Sequence, residues 1–77
     1  MHRHELAAII REKNEAWAQL AAADRRCLAY QRSRATVEGY PELPEGWAER
    51  RDELRARYED VRGRYLRMML GRARVRV

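Results

Sequence analysis

The stretch EGYPELPEG, residues 38–46, decides the fold. It gathers both prolines of the chain and two of its four glycines into a short run. Gly39 can adopt the conformation that closes a helix. Pro41 has no N–H to continue one. Pro44 suits the first turn of a new helix, where the missing N–H costs nothing. Glu45 and Glu49 place negative charge near the positive end of that helix. The stretch therefore reads as a hinge (residues 39–43) between two long helices. The first is expected over about 3–38 and the second over about 44–70, with Gly71 as its stop and residues 71–77 as a basic tail.

On the far side of the hinge, Trp47, Leu54, Val61 and Met68 recur every seven residues. Tyr58 and Tyr65 follow Leu54 and Val61 by four. This heptad spacing keeps one stripe against a partner helix. The first helix has a wider apolar face: Leu6, Ile9, Ile10, Ala16, Trp17, Leu20, Ala23, Cys27, Tyr30 and Val37. Such width points to contact with more than one helix. A short connection makes the two helices antiparallel neighbours. With Glu38 across from Pro44, paired residue numbers sum to about 82. That places Trp17 near Tyr65, Ala21 near Val61, and the Tyr58 hydroxyl within reach of Asp24. The first helix then outruns the second, and its opening turns lie beside the tail. The fold class is thus all-α, a coiled-coil-like hairpin forming a single domain over 1–77. A lone hairpin leaves the outer side of both stripes bare, and pairing two hairpins into a four-helix bundle covers it.

The wider composition agrees. Seventy-seven residues allow one domain, and 38% of them are charged. A chain this small buries little core alone, so oligomers or staples are the usual remedy. Cys27 is the single cysteine, so no internal disulfide can be the staple. That fits a reducing, cytoplasmic setting better than secretion. No stretch reads as a signal peptide or approaches the roughly 20 apolar residues of a membrane span.

Charge is uneven along the chain. Residues 1–38 carry seven basic and five acidic groups, residues 39–61 four and seven, and residues 62–77 six arginines and no acid. In an antiparallel hairpin the chain ends meet, so Arg3, Arg62, Arg64, Arg67, Arg72, Arg74 and Arg76 form a basic pole opposite an acidic hinge. Clustered arginines attract an acidic protein surface or nucleic-acid phosphates. Basic groups also suit a helix C-terminus without any partner. The alternation in Arg72–Val77 has the period of a strand, which could add to a partner's sheet edge.

Catalytic chemistry finds few candidates. His2 and His4 lack further ligands for a metal. Cys27 sits on the apolar face as a small hydrophobe, or as a thiol bridging two copies. Ser33 and Thr36 have no internal histidine to activate them. An arginine-lined pocket would draw on Arg51 and Arg72 beside Tyr58 and Tyr65, but Arg51 can equally snorkel from the seam. The expectation is a non-enzymatic protein-binding module with no cofactor, metal or small-molecule substrate. Its size and arginine bias suit a phage or bacterial accessory protein, adaptor or inhibitor. Its partners are a second copy of itself and another protein. Trp17, Tyr40, Leu43, Trp47, Tyr58 and Tyr65 are its aromatic and apolar anchors, since Trp and Tyr dominate interface energetics. The alternative is an RNA- or DNA-binding hairpin dimer using the C-terminal arginines.

Overall fold

The computed structural model describes the backbone of residues 3–75 and the side chains of residues 3–71. Two helices, α1 (Arg3–Ser33) and α2 (Trp47–Val75), pack against each other as a hairpin 58 Å long and 21 Å wide. The connection between them spans residues 34–46.

That connection is longer than the sequence suggests, because neither helix ends where its glycine or proline stands. α1 stops at Ser33, whose hydroxyl donates to the Tyr30 carbonyl at 2.9 Å. The next two N–H groups, of Arg34 and Ala35, reach back three residues rather than four, at 3.3 and 3.5 Å. This tightening is typical of a helix unwinding at its end. Thr36 and Gly39 then exchange backbone hydrogen bonds at 2.9 and 3.0 Å, with Val37 and Glu38 at the tip of the turn. Gly39, at φ +125°, therefore closes a loop turn and not α1. Val37, expected on the apolar face of the first helix, lies in the loop and is exposed. The Gln31 side chain donates to the Pro41 carbonyl at 3.4 Å and ties this loop to the helix end. Pro44 precedes α2 instead of opening it. Gly46 takes φ +87° and its carbonyl accepts from Arg50 at 2.9 Å, so it caps the helix. At the other end, Gly71 does not stop α2, which continues to Val75. Most of the expected tail is helix; Arg76 and Val77 lie outside the described residues.

The core is one seam. Ile9, Ala16, Leu20 and Cys27 of α1 are buried against Leu54 and Val61 of α2. Leu6, Lys13, Ala23 and Tyr30 complete a strict alternation of three and four along α1, all half-buried. Trp47, Arg51, Tyr58, Tyr65 and Met68 do the same along α2. The broad face read from the sequence of the first helix is therefore this narrow seam plus a second, exposed stripe that includes Ile10 and Trp17.

The register differs from the expected one by about a heptad. Glu12 meets Arg64 and Gln19 meets Arg57, so paired numbers sum to 76. Trp17 packs on Tyr58 with ring centroids 5.1 Å apart, not on Tyr65. Asp24 pairs with Arg55 at 3.7 Å, not with the Tyr58 hydroxyl. A heptad repeat is blind to such a shift, since sliding one helix by seven positions returns every seam residue to the seam. Only the loop fixes the choice. The helices consequently end nearly flush, and the opening turns of α1 lie beside the last turns of α2.

Candidate interaction surface

The two flanks of the seam differ in chemistry. On one flank, Glu5, Glu12, Gln19 and Arg26 repeat every seven residues of α1, facing Arg50, Arg57 and Arg64 of α2. Arg64 donates to Glu12 at 2.9 Å and lies 3.3 Å from Asp60. The Glu12 bond and charge hold the Arg64 proton more tightly than usual. Arg57 donates to the Gln19 carbonyl oxygen at 2.6 Å. Arg26 lies over the Trp47 ring, 3.9 Å from its centroid, in cation–π geometry. This flank satisfies itself.

The other flank does not. Ile10, Trp17 and Asp24 share one heptad position of α1, and Arg55, Arg62 and Met69 share one of α2. The Asp24–Arg55 ion pair and the Trp17–Tyr58 contact show that these two rows line the same side. Ile10, Leu28, Leu66 and Met69 are exposed, and Trp17 is 55% exposed although its ring leans on Tyr58. Such side chains are ordinary singly. Along one flank of a two-helix molecule, they expose apolar surface between the charged Asp24, Arg55 and Arg62.

The expected anchors thus separate. Trp17, Tyr58 and Tyr65 belong to this flank or its edge; Lys13 covers Tyr65, with its nitrogen 5.3 Å from the ring centroid. Trp47 folds inward against Tyr30, with centroids 5.4 Å apart. Leu43 is half-buried in the loop, and Tyr40 is 70% exposed. Leu28, Leu66 and Met69 were not singled out from the sequence. The heptad positions bordering the seam are the signal that finds them.

The basic pole is reshaped as well. Arg64 is engaged by Glu12 and Asp60, which leaves Arg62 and Arg67 exposed on α2 and Arg3 on α1. Arg72 and Arg74 lie on the last turn of α2, their side chains outside the described residues, as is Arg76. The hinge end is less acidic than the linear sequence suggests. Folding returns the four basic residues Arg25, Arg26, Arg32 (α1) and Arg34 (loop) to the same half of the hairpin as the loop glutamates.

A cleft of about 550 Å³ near the chain ends is lined by Glu5, Ala8, Ile9, Glu12, Arg64, Arg67 and Met68. It is open to solvent, and its charges answer one another. Among the described residues no three His, Cys, Asp or Glu side chains gather to hold a metal ion, and no helix is long and apolar enough to cross a membrane. The fold and surface define a class of protein, the antiparallel helical hairpin with one apolar flank. Beyond that class, comparison with known protein families, curated proteins and solved structures gives no match.

Proposed function

We propose that this chain is a non-enzymatic protein-binding module that pairs through its apolar flank, first of all with a second copy to form a four-helix bundle. The observation that carries the reading is the contrast between flanks. One is closed by Glu12–Arg64, Gln19–Arg57 and Arg26–Trp47, while the other leaves Ile10, Trp17, Leu28, Leu66 and Met69 exposed. The thin seam supports it too. Six buried apolar side chains among the described residues are little core for a hairpin of this length, and covering a second face is the usual way such a chain gains stability. Arg3 and Arg67, exposed near the chain ends, and the arginines of the last turn then remain at the pole for an acidic surface of another protein.

Light scattering tests the pairing. The expected result is a mass twice the 9.2 kDa of the chain, retained when the chain is stopped after Leu70. A mass that stays at 9.2 kDa at all accessible concentrations overturns self-pairing. A second reading, binding of RNA or DNA, draws on the arginine run from Arg62 onward, which contains no acid. Titration of a short duplex separates the two. Tight binding with a steep salt dependence, lost on removal of Arg72, Arg74 and Arg76, would favour nucleic acid. The engagement of Arg64 by two carboxylates counts against it.

A further inference from the structure

The apolar flank carries information about how two copies meet. Trp17, the largest exposed side chain on that flank, stands at the middle of α1 (Arg3–Ser33). Exposed apolar residues lie on both sides of it, Leu28 toward the hinge and Ile10, with Leu66 and Met69 at neighbouring levels of α2, toward the chain ends. Ile10 is seven residues, or about 10 Å, toward the chain ends, and Leu28 is eleven residues, or about 16 Å, toward the hinge. Charge, by contrast, is lopsided. Residues 62–77 carry six arginines and no acid, while residues 39–61 carry three more acidic than basic groups.

We infer that two copies pair antiparallel across this flank, about a two-fold axis that passes beside Trp17. The inference rests on the self-pairing proposed above and adds the orientation. A two-fold perpendicular to the long axis lays α1 along α1 and α2 along α2 in opposite directions. The basic end of each α2 then runs beside its partner's hinge half, where residues 18–58 carry eight basic and seven acidic groups, and the two arginine-rich ends are kept apart. The alternative two-fold, parallel to the long axis, collects all twelve arginines of both 62–77 segments at one end. Like charges gathered within a bundle's width repel, and the antiparallel arrangement removes that cost. The axis is placed at Trp17 because this is the largest exposed side chain of the flank and stands at mid-helix. A side chain at the midpoint meets its own copy, so Trp17 stacks near the partner's Trp17, in the central position where interface anchors concentrate. The face is large enough. Its 58 × 21 Å outline gives a footprint of roughly 1,000 Å² per copy, against about 800 Å² for a standard interface.

The test is a distance between copies. A Glu42→Cys variant in a Cys27→Ala background carries one spin label on the exposed hinge loop. The mass of the labelled protein is measured first. A dimer with labels about 50 Å apart, close to the 58 Å length of the hairpin, is the expected outcome. A dimer with labels within about 25 Å, one bundle width plus two label arms, overturns the orientation and leaves self-pairing standing. A monomer overturns both. The labelled background could itself lose stability, so Trp17→Arg in the otherwise unaltered chain gives a second readout. It should yield a monomer with undiminished helicity. A Trp17→Arg protein that keeps the dimer mass overturns the placement of the axis.

Discussion

At the scale of single residues, the two glycines of α2's sequence surroundings make opposite predictions. Gly63 sits inside α2 at ordinary helical dihedrals, and a methyl group there would meet only the flexible end of Arg67, 3.5 Å away. Gly63→Ala should therefore stabilise the hairpin by about 0.5–1 kcal/mol, the difference in helix propensity. Gly46 has open space around it but holds φ +87° at the helix cap. Gly46→Ala should cost about 1 kcal/mol, from backbone strain alone. Urea denaturation at one fixed protein concentration checks both, and equal signs would contradict the loop geometry. The Glu12–Arg64 pair makes a more modest prediction. Both side chains are about two-fifths exposed, so solvent screens the bond despite its 2.9 Å length. A double-mutant cycle with Glu12→Ala and Arg64→Ala should give only a weak coupling, well below the cost of truncating a seam leucine.

At the scale of the helices, the seam is where stability resides. Leu54 and Leu20 are buried on opposite helices, and truncating either to alanine should cost about 2–3 kcal/mol. The lower part of the known range applies because a seam one layer thick can close over the gap. Leu28→Ala, on the exposed flank, should leave the stability of the isolated hairpin within about 0.5 kcal/mol. Thermal unfolding of dilute protein distinguishes the two classes. This difference also explains what was legible in the sequence. The α2 seam stood out because Trp47, Leu54, Val61 and Met68, with Tyr58 and Tyr65, account for all but one of the large apolar residues over that span. α1 was harder, since Ile10 and Trp17 extend the apolar pattern past the seam and look like core. The helix ends were misplaced because Ala35, Thr36 and Val37 contain no breaker, yet Thr36 finds a better partner in Gly39 than in the helix. The register was illegible in principle, because the heptad repeat scores alternatives seven residues apart alike. The polar ladder of Glu12–Arg64 and Gln19–Arg57 shows itself only once that ambiguity is resolved.

At the scale of the whole molecule, the six arginines of residues 62–77 decide how copies can be arranged, and removing some of them tests that arrangement by sign. Consider Arg72→Gln, Arg74→Gln and Arg76→Gln together. In an antiparallel pair the two arginine-rich ends lie about 50 Å apart, many times the ~8 Å screening length at 0.15 M salt, so they do not feel each other. Each lies instead beside the partner's nearly neutral hinge half, and loss of three positive charges leaves the dimer equally stable or slightly weaker. In a parallel pair the same change relieves repulsion at a shared end and tightens the dimer, most of all at low salt. Sedimentation equilibrium of the parent and the triple variant, at about 0.05 M and about 0.3 M salt, reads the difference. The expected outcome is a dissociation constant that is unchanged or raised up to about threefold at low salt, converging with the parent at high salt as the charges are screened. A triple variant that dimerises more tightly than its parent at low salt would mean that the arginines are crowded together, and that the two hairpins lie side by side in the same direction.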